Sequence, residues 1–246
     1  MLSDCFAIHY RYPQKTPVQV HLCGNQILID CRFNYNQRAL RPDPKTGAIL
    51  ADSIESGIIQ LWSGAYQLPL PGEEELVEVQ VTISRKPDRR SVPIRVRRLL
   101  IMPAHVISPF YRRFWGIFKT GHLESIGTNW SVQQPGCMVL PLGLTNGQLR
   151  SIAAHEAGHL FGLGDAYAAI YRYYDAAPAT GNFMMHSNQA VQPAEILMLL
   201  QAHTRGRMQY FPQHWNTGQF VRGLGRELTL RARQLKNNLA AWWQNR

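Results

Sequence analysis

The chain has 246 residues, 45% of them hydrophobic and 17% charged, with a formal net charge of +10 and four cysteines. That length suits one large domain or two small ones and can bury a sizeable core, and the apolar content excludes a disordered chain. The longest apolar runs, such as Leu99-Leu100-Ile101-Met102, fall far short of the ~20 residues of a spanning helix, so no membrane span is expected.

The opening Met1-Leu2-Ser3-Asp4-Cys5 lacks a basic stretch followed by an apolar one, so no signal peptide is read there. The expectation is a protein that is cytoplasmic where it is made, with any export by a signal-free route or through an upstream piece. Cys5, Cys23, Cys31 and Cys137 form no Cys-x-x-Cys pair, which argues against a zinc ribbon. Cys23 and Cys31 could face each other across a hairpin, or all four could be reduced thiols.

In chain order, Gln26 to Tyr35 reads as a strand rich in β-branched and aromatic residues. Arg41 to Gly47, with Pro42, Pro44 and Gly47, reads as a loop. Ile49, Ile54, Ile58, Leu61 and Trp62 recur near helical spacing and predict an amphipathic helix from Ala51 to Ser63. Leu76 to Ser84 alternates apolar and polar residues as a strand does. Val92 to Met102 is a second strand, reached through the basic turn around Pro87-Asp88. Ser108 to Ser131 is aromatic-rich without a clear period. Gly136 to Leu142 reads as a short strand, placed at a sheet edge by Pro141. Strand, helix, strand, strand in this order predicts a mixed α+β layer.

The positive charge is concentrated. Seven basic residues between Arg85 and Arg98 face one acid, Asp88, and eight between Arg205 and Arg246 face one, Glu227. A basic surface favours acidic partners, but no nucleic-acid motif accompanies it, so no specific nucleic acid is expected.

The segment Gly147 to Phe161 has helical period, with Thr145 as N-cap, Gln148 completing a capping box, and Gly162 and Gly164 ending it. On this helix stands His155-Glu156-x-x-His159. Residues four apart share a helix face, so both imidazoles can point at one metal ion. Glu156, one step round, can reach a water held by that ion and take its proton during attack on a peptide carbonyl. Gly162 sits where the chain must turn, and Asp165 can return a carboxylate to the site. H-E-x-x-H alone arises by accident in roughly one such chain in a hundred, and requiring Gly at 162 with His or Asp at 165 lowers that about two-hundredfold.

The string H-E-x-x-H-x-x-G-x-x-D resembles the extended motif of the metzincin clan of zinc metallopeptidases. The resemblance implies one catalytic Zn2+ held by His155, His159 and Asp165, with Glu156 as general base. Aspartate as third ligand is similar to snapalysin rather than to astacins or matrixins. Gly181-Asn182-Phe183-Met184-Met185-His186 resembles the clan's Met-turn, with Met184 the first candidate and Met185 the second. Where astacins place a transition-state-stabilising Tyr, this chain has His186, a candidate oxyanion donor. Tyr167, Tyr171, Tyr173 and Tyr174 compete for that role. Ala166, following the third ligand, matches no family within the clan.

The fold that follows is α+β. A twisted mixed sheet with a backing helix and the active-site helix would form an upper subdomain. A smaller helical lower subdomain would follow the zinc motif, including a helix from Pro193 to His203. Backbone pairing along the edge strand Gly136 to Leu142 would hold an extended peptide. Residues 1–204 would form the catalytic domain. Residues 205–246 would form a basic helical extension, with Leu228, Ala232, Leu235, Leu239 and Trp242 as an apolar stripe that packs on the domain or docks to a partner. The implied function is a zinc-dependent endopeptidase acting on a protein or peptide substrate. Lack of signal and propeptide suits an effector or toxin domain restrained by an inhibitor or immunity partner. The alternative is a non-catalytic zinc-containing binding module acting through its basic tail, against which the intact Glu156 argues.

Overall fold

The computed structural model describes residues 2–42, 47–70, 72–98, 103–112, 127–167 and 175–214, together with the single positions 115, 216, 218, 229, 232, 233 and 236. The fold is mixed α+β: a twisted mixed sheet with several helices. Its strands are β1 (Val18–Cys23), β2 (Gln26–Tyr35), β3 (Gly64–Leu70), β4 (Glu73–Arg85), β5 (Val92–Arg97), β6 (His105–Ile107) and β7 (Cys137–Pro141). The helices are α1 (Leu2–Cys5), α2 (Gln37–Leu40), α3 (Leu50–Trp62), α4 (Asn146–Leu160), α5 (Met184–Ser187) and α6 (Pro193–Arg205). No helix among the described residues is long and apolar enough to cross a membrane.

The sheet runs β3-β4-β2-β5-β7-β6, with β1 also paired to β2. β2 organises it. One edge of β2 pairs in parallel with β4 from Gln26 to Phe33. The other edge is shared: β1 pairs antiparallel with Gln26 to Cys31, and β5 pairs in parallel with Phe33 to Tyr35. The basic turn around Pro87-Asp88 therefore carries the chain across β2, so β4 and β5 are not neighbours. β2 follows its two-residue period closely, with Ile27, Ile29, Cys31, Phe33 and Tyr35 buried and Gln26 and Asp30 exposed. Val77, Val79 and Val81 of β4 and Val92, Ile94 and Val96 of β5 bury in the same alternation.

Against this sheet lies α3, burying Ala51, Ile54, Ile58 and Trp62, and α3 packs in turn on α4. The Trp62 indole donates to the Ala154 carbonyl at 2.8 Å and meets Phe161 edge to face at 5.0 Å between ring centroids. The buried polar end of the tryptophan is thereby satisfied while its ring fills the space between the two helices.

The Gly136–Leu142 expectation needs correcting. β7 is an inner strand, parallel to β5 and covered on its other side by β6 from Cys137 to Val139. Met138, Val139 and Leu140 are accordingly all buried, which reads as a continuous apolar run rather than an alternation. Pro141 is tolerated because β6 has ended by then, so its missing N–H falls where no outer neighbour waits. The edge strand is β6, and even its outer side is partly taken. Thr128 Oγ1 donates to the Val106 carbonyl at 2.8 Å, and the Ser108 amide donates to the Gly127 carbonyl at 3.0 Å.

Cys23 and Cys31 do not face each other. In the β1–β2 hairpin Cys23 is opposite Gln26 and Cys31 is opposite Val18, and all four cysteines are free. The strand expected to reach Met102 is described only to Arg97, and residues 99–102 lie outside the described residues, as do 43–46 of the expected loop. The apolar stripe of the tail also falls largely outside them. Of that stripe Ala232 is described, helical and exposed.

Candidate metal centre

The helix α4 begins as the sequence expects. The Thr145 hydroxyl accepts from the Gln148 amide at 3.3 Å while the Gln148 side chain accepts from the Thr145 amide at 3.0 Å. Within its last two turns come His155, Glu156 and His159, of which His155 and Glu156 are buried.

Gly162 then turns the chain at φ +99°. A Cβ there would stand 2.7 Å from Ala202 and 2.9 Å from the Trp130 ring, so both the backbone angle and the close packing call for glycine. The turn is pinned on both sides. Gly164 donates to the Gln209 carbonyl at 2.8 Å, and Gln209 donates back to Gly162 at 2.8 Å. Ala166 donates to the Met185 carbonyl at 2.9 Å. Asp165, between these anchors, swings its carboxylate onto the helix.

The result is one convergent cluster. Asp165 Oδ1 lies 3.1 Å from His155 Nε2 and 3.3 Å from His159 Nε2. The three candidate ligand atoms all lie within 4.8 Å of one another. Donors on a tetrahedral zinc, each about 2.0–2.1 Å from the ion, sit roughly 3.3 Å apart, so the carboxylate-to-imidazole separations suit such an ion. The outer ring nitrogens are also committed. His155 Nδ1 is 2.9 Å from the Met184 carbonyl and His159 Nδ1 is 2.8 Å from the Leu163 carbonyl. Donation there leaves Nε2 as the inward-facing atom of each ring, the arrangement that orients metal-binding histidines.

The electrostatics follow from this packing. Burial alone would lower the His155 and His159 imidazoles, but the Asp165 carboxylate overcomes it, raising His155 and taking His159 to about 10. Burial resists ionisation of Asp165 as well, and the two imidazoles more than offset it, holding the carboxyl well below the usual range. Glu156 differs. Burial raises its carboxyl, opposed by His159 and His155, and its Oε2 is a buried atom without a hydrogen-bond partner.

The Met-turn expectation divides between two residues. Met184 supplies the carbonyl that orients His155, while Met185 puts its thioether under the helix, where a Cβ on Gly158 would come within 2.2 Å of the sulfur. Both methionines are fully buried. His186 is half-buried, with Nδ1 2.9 Å from Thr180 Oγ1, and its ring centroid is 6.5 Å from that of Tyr167. Tyr167 also stands 5.9 Å from the His155 ring, which brings it to the cluster. Tyr171, Tyr173 and Tyr174 lie outside the described residues.

Four contributors were not anticipated. Glu195 is wholly buried and accepts from the amides of Met184, Met185 and Gln192 at 3.2, 2.8 and 2.8 Å, so it shapes the turn beneath His155. Its position three residues after Gln192, in the first turn of α6, is a readable capping signal. Trp130 donates to the Leu160 carbonyl at 2.9 Å, closing the end of α4. Gln213 donates to the carbonyls of Asp165 and Tyr167 at 3.2 and 3.0 Å. His105, on β6, bears electrostatically on Glu156, and its Nδ1 lies 2.8 Å from the Pro103 carbonyl. No sequence pattern marks the last three. The chain past Arg205 thus remains part of the site's support through Gln213, and Asn216 extends it by bonding Asp175.

Comparison of the chain with protein-family models, with curated proteins and with solved structures yields no match in any of the three. What stands is an α+β protein carrying a His155-His159-Asp165 group, at most partly exposed, that could hold a metal ion.

Proposed function

We propose that the chain is a zinc-dependent endopeptidase of metzincin-like architecture. The observation that carries the reading is the pairing of a three-donor cluster of zinc-compatible spacing with a buried, unpartnered carboxylate oxygen on the adjacent residue. His155, His159 and Asp165 would hold the ion. When bound, it supplies Lewis-acid polarisation of a carbonyl and of a water molecule.

The chain's own groups do the rest. Glu156 accepts the proton of the attacking water at its open oxygen and delivers it to the leaving amine. Burial raises its carboxyl above the usual carboxylate range, which makes it the better proton acceptor. Tyr167, whose ring lies 5.9 Å from that of His155, and His186, 6.5 Å from Tyr167, would be the candidates to donate to a developing oxyanion. The carbonyls of Met184 and Leu163 keep both imidazoles aimed inward through the cycle.

The test combines metal content with activity. Purified full-length protein dialysed against zinc should hold one ion per chain by elemental analysis and cleave a proteome-derived peptide mixture. Chelation should abolish the cleavage and re-addition of zinc restore it. Cleavage that persists after complete metal removal overturns the reading.

A further inference from the structure

A second concave site lies away from the histidines. A cavity of about 490 Å³ opens where β5 and β7 begin and β6 ends, between Val92, Ile107 and Cys137. Its lining includes Lys15, Arg89 and Arg90, and no carboxylate. Tyr111, 72% exposed, and Ser91 add an aromatic face and a hydroxyl.

The cations here are not spent on internal ion pairs. Arg85, at the start of the same basic run, is bound to Asp52 and Glu55. Among the described residues no carboxylate pairs with Lys15, Arg89 or Arg90. The nearest acid in sequence, Asp88, is outside the lining and is held by the Arg90 amide and the Ser91 hydroxyl at 2.8 and 3.0 Å. Lys15 Nζ lies 5.1 Å from the centroid of the Tyr12 ring. Basic residues around a hollow whose lining holds no carboxylate favour the entry of an anion.

Position supplies the link to the metal centre. α4, which carries the histidine cluster, packs against β6, and the last residue of β6, Ile107, lines the cavity. Two strand residues span about 7 Å. An extended chain running from the cluster along the direction of β6 brings one of its more distant side chains over the basic hollow. The volume takes two or three side chains and not a duplex, and one aromatic residue makes a poor platform for stacked bases.

We propose that this cavity binds an acidic segment of a polypeptide, which makes it a remote specificity site of the peptidase. The substrate part of this inference rests on the function proposed above. The binding part does not.

The probe is fluorescein-labelled hexaglutamate, followed by anisotropy with the zinc-loaded full-length chain. Binding should weaken as salt rises. It should fall at least tenfold in Arg89→Glu/Arg90→Glu and stay within about threefold in Arg89→Lys/Arg90→Lys, which keeps the charges and reports on folding. Peptides cleaved from a proteome-derived mixture should be enriched in Asp and Glu at a fixed offset to one side of the scissile bond, and the enrichment should vanish in the Glu variant. Hexaglutamate binding that depends on Arg89 and Arg90 supports the acidic-segment site even where no peptide is cut, and absent cleavage then counts against the peptidase reading alone. Equal hexaglutamate affinity in all three proteins overturns the proposal, as does tighter binding of a twelve-nucleotide oligothymidylate at the same residues. Cleavage without acidic enrichment overturns the specificity role and leaves the peptidase standing.

Discussion

His155 Nδ1 lies 2.9 Å from the carbonyl oxygen of Met184, a residue 29 positions downstream, so the first histidine of the motif is aimed by the turn that passes beneath it. That turn is itself held by Glu195, whose carboxylate receives the amides of both Met184 and Met185. Orientation thus passes from α6 through the turn to His155, whose Nε2 faces Asp165.

Glu195→Gln tests this chain of contacts. The amide offers one acceptor oxygen where three buried N–H groups converge, and each donor left unpaired costs about 1–3 kcal/mol. The variant should melt at lower temperature and bind zinc about ten- to a hundredfold more weakly. Unchanged zinc affinity, measured by competition with a chromogenic chelator, would show that the turn does not position His155.

Gly162→Ala addresses the turn after the helix. A side chain at φ +99° is strained, and its Cβ would press on Ala202 and Trp130. The expected loss is about 2 kcal/mol or more in chemical denaturation, with weakened zinc binding because Asp165 follows three residues later. A variant of wild-type stability would mean that the turn adjusts freely.

Much of this site is legible in the sequence because its signals are local. The His-Glu-x-x-His spacing, the Thr145-Gln148 capping box and the Gly162 turn each depend on residues within one or two helical turns. The strand Gln26–Tyr35 is equally local, since alternation along a single strand shows which face it buries. β7 misleads because Pro141 is an edge signal that belongs to its last residue alone, while the covering strand, His105–Ile107, is too short to carry a pattern. Trp130 and Gln213 are invisible for another reason. They satisfy carbonyls of segments 30 and 48 residues away, and nothing in their own neighbourhoods marks that task.

His203 predicts a pH effect on stability outside the metal centre. Burial holds this imidazole down at about 3, against an ordinary 6.5, and a weak pull from the Phe161 carbonyl opposes the shift. Its Nδ1 meets the Tyr10 hydroxyl at 2.9 Å. Between those values the unfolded chain binds a proton that the folded one refuses. The stabilisation is therefore complete above about pH 6.5 and is lost on acidification, at about 1.4 kcal/mol per pH unit. Urea midpoints of His203→Gln should fall less steeply from pH 6.5 to 4 than those of the wild type. Parallel curves would assign the acid sensitivity elsewhere.

Asp165→His predicts a shift in the activity profile. A carboxylate ligand leaves less positive charge at the ion than a third imidazole, so the water it activates is less acidic. The acidic limb of the kcat/KM profile should lie at higher pH in the wild type than in the variant. A limb that stays in place, or moves up on substitution, contradicts the charge argument.

The most direct measurement compares Glu156→Ala with the wild type, each loaded with zinc, in metal content and in cleavage of the same peptide mixture. The variant should keep one ion per chain, since Glu156 is not among the ligands, and lose at least a thousandfold in rate. Wild-type cleavage by the variant, or a wild type that binds no zinc at His155, His159 and Asp165, would contradict the account.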